Sequence, residues 1–166
     1  MLMTSATNRD VLEANTARSR AVRRRPGVLV ADDMGLILTL LKFALEAHGF
    51  AVWLAVDGDD ALDLYRRNRT EIDLVVLDVQ MPGLDGPHTL AAIRRLDPDV
   101  LACFMTGAPE PYSRDDLLAR GAARVFDKPF VPVDLARTLT DVLDSAGRPD
   151  HSWRFKRIPH AIAETG

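Results

Sequence analysis

The sequence predicts an α/β fold: an open, five-stranded, doubly wound parallel sheet with helices on both faces. Three observations predict it. Short apolar runs, such as VLVA at Val28 and LACFM at Leu101, alternate with stretches of helical periodicity. Several of those runs are apolar on both faces, as strands buried inside a parallel sheet are. Five strand–helix units fit into about 117 residues, the spacing of a βα repeat.

The elements follow in order. VLVAD forms the first strand, entered through Pro26-Gly27. Residues 35–48 place Leu36, Leu40, Phe43, Ala44 and Ala47 at helical spacing, and Gly49 stops that helix. Residues 51–56 form the second strand, and Asp57-Gly58 turns into a helix over 60–67 with Ala61, Leu64 and Tyr65 on one side. Residues 72–77 form the third strand, MPGLDGP a loop, and residues 88–96 a helix ended by Asp97-Pro98. The fourth strand covers 100–105. A short helix over 113–120 has Ser113 as N-cap and Gly121 as stop. Residues 124–126 form a short fifth strand. A closing helix over 132–143 starts with Pro132 in its first turn and faces Val133, Ala136, Leu139, Val142 and Leu143 inward.

A domain over 27–146 is thus expected, between a basic, mostly disordered segment 1–26 and a C-terminal segment 147–166. A short helix near 10–17 is compatible with the first segment. The net charge of −3 is unevenly spread. Residues 1–26 hold six arginines against two acids, residues 27–146 hold 11 basic and 20 acidic residues, and residues 147–166 hold four basic and two acidic. An acidic domain argues against nucleic-acid binding through its core. The apolar runs are too short to span a bilayer, and no signal-peptide pattern opens the chain. The single cysteine, Cys103, forms no internal disulfide and suits a reducing cytoplasm.

In an open parallel sheet the functional crevice lies beyond the carboxyl ends of the strands. The residues there are Asp32 and Asp33, Asp78, Thr106 and Lys128. Each alone has a plain structural role: Asp32-Asp33 as a helix cap, Asp78 as a turn residue, Thr106 as a strand-end hydroxyl, and Lys128-Pro129 as a surface lysine before a rigid turn. Together they form a chemical set. Clustered carboxylates repel one another unless a positive charge sits among them. Oxygen ligands with an incomplete protein shell suit magnesium. A carboxylate nucleophile, a divalent ion, a lysine and a hydroxyl are what phosphoryl transfer to aspartate requires.

The segments VLVADD, LVVLDVQMPGLDG, FMTG and FDKPF, with GFAVWLAVDGDDALDL between them, closely resemble the marker segments of response-regulator receiver domains. The resemblance implies a flavodoxin-like sheet of strand order 2-1-3-4-5. It implies that Asp78 is the phosphoacceptor. Magnesium, with manganese as a substitute, is then held by Asp33, Asp78 and the backbone carbonyl of Gln80, with Asp32 acting through water. Thr106 and Lys128 hold the phosphoryl group, and Pro129 is a cis-proline. The implied function is that of a two-component or phosphorelay response regulator that catalyses its own phosphorylation and dephosphorylation. The implied phosphoryl donor is a histidine kinase or a histidine phosphotransfer protein.

The sequence departs from that pattern at Val125, the switch position, where the family carries an aromatic residue. Coupling is therefore expected to be weaker there or to run through the loop 107–112. Gln80 and Ala108 occupy positions that resemble the family's tuning sites for dephosphorylation. About 20 residues follow the closing helix, from which a stand-alone receiver is expected, with no DNA-binding domain, no membrane span and an unknown downstream protein target. The face of helix 4, strand 5 and helix 5 is the expected docking surface, including for a dimer. HSWRFKRIPHAI, near the C-terminus, is expected either to pack on the domain or to bind a partner. Two rival functions are an aspartyl-phosphate hydrolase, disfavoured because Gln80 stands where an acid is wanted, and a scaffold that no longer takes phosphate.

Overall fold

The computed structural model describes residues 24–107 and 111–147. The expectations for residues 1–23 and 148–166, and the reading of Ala108, lie outside the described residues. Five strands, β1 (Gly27–Ala31), β2 (Ala51–Ala55), β3 (Leu74–Asp78), β4 (Leu101–Thr106) and β5 (Arg124–Asp127), alternate with five helices. The helices are α1 (Gly35–Ala47), α2 (Gly58–Asn68), α3 (Gly86–Leu96), α4 (Arg114–Ala119) and α5 (Pro132–Ser145). The sheet is parallel throughout, in the order β2-β1-β3-β4-β5.

Alternation along the strands sorts the core into two layers. Leu29, Ala31, Val75, Leu77 and Phe104 point to one face, where they meet Ala61 and Tyr65 of α2, Leu90 and Ile93 of α3, and Leu117 of α4. Val28, Val30, Val76, Cys103 and Met105 point to the other, where they meet Leu38, Leu41 and Leu45 of α1 and Leu135, Ala136 and Leu139 of α5. Central strands β1 and β3 are buried along their whole length, so every residue there is apolar until the acids at their ends.

The helix starts are chemically marked. Asp57 caps α2 through its side chain, Asp85 caps α3 with Pro87 in the first turn, and Ser113 and Asp116 form a reciprocal capping box on α4. Below β1, Arg24 donates to the backbone of Thr70 and Glu71 and pairs with the buried carboxylate of Asp73 at 3.3 Å. Asp73 also accepts from Gly27 N–H at 2.7 Å. The end of the basic N-terminal segment is therefore tied to the sheet.

One inward face differs from expectation, in α5, and in α1 residues noted for their helical spacing turn out to face solvent. Helix α1 buries Leu38, Leu41 and Leu45, while Leu36, Leu40 and Phe43 face solvent. Its sequence is apolar around most of its circumference, so spacing alone fits either side. In α5, Leu135 is buried and Val133 is exposed, because Val133 lies about a third of a turn around the helix from the centre of the side formed by Leu135, Ala136, Leu139, Val142 and Leu143.

Candidate functional site

The five parallel strands end at one edge of the sheet, and the order reverses between β1 and β3. That reversal places Asp32 and Asp33, just after β1, beside Asp78 at the end of β3. One carboxylate oxygen from each of the three lies within 4.8 Å of the others. Asp32 and Asp78 are buried, while Asp33 is exposed at the rim. Asp32 Oδ1 is held by the Met34 N–H at 2.9 Å, which fixes its other oxygen toward the neighbouring strand end.

Lys128 arrives from the far side of the sheet, just after β5. Its Nζ donates to Asp32 Oδ2 at 2.7 Å and lies 3.0 Å from Asp78 Oδ2. Its backbone N–H donates to the Thr106 carbonyl at 2.7 Å, which locks the β5 exit to the end of β4. The Lys128–Pro129 peptide is cis. Thr106 is buried at the end of β4, and Met105 before it is in register with Asp78. The sheet thus brings Asp32, Asp33, Asp78, Thr106 and Lys128 to one edge. Gln80 lines the same cleft, which has a volume of about 720 Å³.

The electrostatics follow from burial. Burial pushes the Asp78 carboxyl above its usual range, and the nearby Asp32 adds to this; hydrogen bonding and charge from Lys128, with the Gln80 amide, oppose it without cancelling it. For Lys128, burial alone would lower the pKa, but contacts with Asp32 and Asp78 outweigh it, and the net direction is upward. One ammonium faces three carboxylates, so the cluster keeps an excess of negative charge. An all-oxygen donor set of this charge and compactness fits a hard divalent cation such as magnesium.

Two cleft residues escaped sequence reasoning. The Tyr112 hydroxyl donates to Asp85 Oδ2 at 3.1 Å, joining the loop after β4 to the first turn of α3. Asp85 Oδ1 accepts from the His88 N–H at 2.8 Å and lies 2.7 Å from His88 Nδ1. Burial alone would raise the Asp85 pKa, but these His88 and Tyr112 donors outweigh it and hold the carboxyl below the usual range. Arg120 stacks over the Tyr112 ring at 4.9 Å. An aspartate just ahead of Gly86-Pro87 is a local cap signal; nothing local in the sequence links Tyr112 to it. Gly86 is required for packing, because a Cβ there would collide with the backbone carbonyl of Asp78.

The residue at the expected switch position, Val125, is 4% exposed and packed in the layer that holds Phe104 and Leu117. Phe126 points to the opposite face, edge-on to Phe130 with ring centres 6.4 Å apart. Its ring cannot stand in for an aromatic at 125. Arg114 pins the outer edge of β5 instead, donating to the Val125 carbonyl at 3.0 Å and to Asp127 at 2.9 Å.

The profile of the response regulator receiver domain matches residues 28–140. The chain belongs to this family. The receiver is 38% identical over 122 residues to the transcriptional regulatory protein PrrA of Mycobacterium tuberculosis, covering 74% of this chain and 52% of that protein. Among solved structures, it superposes on a response regulator receiver domain protein from Clostridium thermocellum with a TM-score of 0.68 at 28% identity, covering 74% of this chain and 97% of that one. It also resembles a chain of the CheX-CheY-BeF3-Mg+2 complex from Borrelia burgdorferi, with a TM-score of 0.64 at 27% identity, covering 73% and 89% of the two chains. The receiver is therefore homologous to response regulators of two-component systems.

One expectation is corrected. The chain spans about half the length of the curated relatives it matches, and PrrA is a transcriptional regulatory protein. The expectation of a stand-alone receiver with no DNA-binding domain, acting only through a protein target, does not stand. The physical reason is modularity: a receiver fold carries the switch, and its own size holds no information about the output attached to it. Among the described residues, no helix is long and apolar enough to cross a membrane.

Proposed function

We propose that this receiver takes a phosphoryl group on Asp78. The carrying observation is the position of Asp78, within 4.8 Å of the Asp32 and Asp33 carboxylates and 3.0 Å from the Lys128 ammonium, at the mouth of an open cleft. An Asp78 oxygen attacks phosphorus; the bond from phosphorus to the donor's imidazole nitrogen breaks, and that nitrogen keeps the electron pair. Lys128 then shifts part of its charge from Asp32 to the new phosphoryl oxygens. The Thr106 hydroxyl, at the end of the adjacent strand, donates to another. In dephosphorylation a water oxygen attacks phosphorus and Asp78 leaves as the carboxylate. Gln80, at the cleft wall, flanks the approach of that water.

Asp33, Asp78 and the Gln80 carbonyl would hold magnesium or manganese, with Asp32 acting through water. The cation supplies neutralisation of charge on the transferred oxygens. Phosphorylation adds a charge of about −1.5 to −2 and three acceptor oxygens. With a buried valine at 125, the response is carried by the loop after β4, whose Tyr112 already reaches Asp85.

Incubation with acetyl phosphate and magnesium, followed by intact-mass analysis, tests the reading. A gain of about 80 Da, the mass of one phosphoryl group, is expected, along with its absence in Asp78→Asn and without divalent cation. An adduct that persists in Asp78→Asn, or none at all, overturns it.

A further inference from the structure

Helix α1 is apolar on two sides. Leu38, Leu41 and Leu45 form the side buried on the sheet. Leu36, Leu40 and Phe43 form a second stripe, spaced i, i+4 and i+7, and are 69%, 46% and 68% exposed. A helix apolar on two sides is the pattern of one covered on both, yet among the described residues only one side is covered. Toward the start of α1 the stripe runs into a groove of about 370 Å³ lined by Met34, Ile37, Leu40, Phe130 and Pro132. Stripe and groove form one continuous apolar surface.

We propose that the chain's own segment 151–159, HSWRFKRIP, docks along this surface. Three observations select it. The first is position: α5 packs beside α1, both helices return from parallel strands, and both therefore end at the same edge of the sheet. The described chain leaves that edge at Gly147. Six residues from there to Trp153 reach up to about 20 Å, and Phe43 lies one turn from the end of α1. The second is length: the stripe from Leu36 to Phe43 rises about 10 Å, and an extended stretch from Trp153 to Ile158 spans about 17 Å. It covers the stripe and reaches the groove.

The third is chemistry. Trp153 and Phe155 alternate with Arg154 and Lys156, so an extended backbone over 153–156 turns both rings to one side and both charges to the other; the alternation ends there, since Arg157 falls on the ring side. The rings suit the stripe. The charges suit the exposed acids nearby, Glu46 in the last turn of α1 and Asp141 and Asp144 near the end of α5. The domain over 27–146 carries 20 acids against 11 basic residues, while 147–166 carries four basic residues against two acids. Exposed ion pairs contribute little each, so apolar contact is the main attraction. A segment bound there would flank the acidic cleft, whose wall includes Met34. The proposal holds whether or not Asp78 takes phosphate.

The test uses the full chain with Ser152→Cys carrying a nitroxide label. Cys103 does not compete, since it is buried and its thiol is pushed up to about 12. Amide signals of residues 36–43 are expected to lose intensity severalfold by paramagnetic relaxation. Phe43→Asp in the same chain is expected to restore them while the rest of the spectrum keeps its dispersion. Broadening confined to the end of α5, or centred on another face, overturns the proposal and leaves the stripe to a separate partner. Broadening of α1 that appears only when labelled and isotope-enriched chains are mixed also overturns it, in favour of a second copy.

Discussion

The ammonium of Lys128 donates a 2.7 Å hydrogen bond to Oδ2 of Asp32, a carboxylate with no solvent exposure. The same nitrogen lies 3.0 Å from Asp78, so one cation holds two buried anions together. Removing one partner of a buried ion pair typically costs roughly 3–5 kcal/mol. In magnesium-free buffer, Lys128→Met is expected to lose about 3 kcal/mol in urea unfolding, with part of the loss recovered on adding millimolar magnesium. The sign with pH follows from the raised Lys128 pKa. The stabilisation is full below the ordinary lysine value of 10.5 and fades as pH rises through the higher folded value. Equal urea midpoints for wild type and variant at pH 7 would refute this role.

Asp78 carries the opposite sign. Its folded pKa is raised, chiefly by burial, so its ionised form opposes folding. Without divalent cation, stability should fall as pH climbs from the unfolded value near 3.8 through the folded one. Asp78→Asn should therefore be more stable than wild type at pH 7, and the advantage should vanish below pH 3.8. Thermal melts in a chelator across that range decide the matter. A neutral-pH melting point lowered by the substitution would contradict it.

The buried, ringless Val125 and the Tyr112–Asp85 contact make a joint prediction about signalling. On addition of beryllofluoride and magnesium, amide shifts should be large at Gly107 and Tyr112 and small at Val125. Tyr112→Phe should leave phosphorylation of Asp78 intact but shrink the shift at Asp85. A rearrangement centred on Val125 would count against the loop route.

Asp85 supports α3 as well as the cleft mouth. Its depressed pKa means a stabilising contribution that is present above the unfolded carboxylate value and lost as pH falls through the folded one. Asp85→Ala should cost about 1 kcal/mol at neutral pH, the usual worth of an N-cap, and the difference should narrow in acid. Urea titrations at pH 7 and pH 3 measure both. A constant difference across pH would show that charge plays no part.

Much of the site is legible in the sequence. Asp32, Asp33, Asp78, Thr106 and Lys128 each follow an apolar run, and parallel strands all finish at one edge. Tyr112 is not legible there, because its link to Asp85 depends on the path of a loop rather than on any local period. The inward side of α1 is hidden for a related reason. Leu36, Leu40 and Phe43 satisfy helical spacing as well as Leu38, Leu41 and Leu45 do, and only docking on the sheet separates them.

Local periodicity, turn chemistry and the acids at strand ends were enough to determine the five βα units and to single out the residues gathered at their tips. Which charges meet was decided only in three dimensions. Lys128 lies 96 positions from Asp32 along the chain, and their contact depends on the β5 exit folding back over the sheet edge. Side-chain spacing reports on neighbours within a few residues; ion pairing in a buried cleft depends on how distant strands are stacked, and no local pattern encodes that distance.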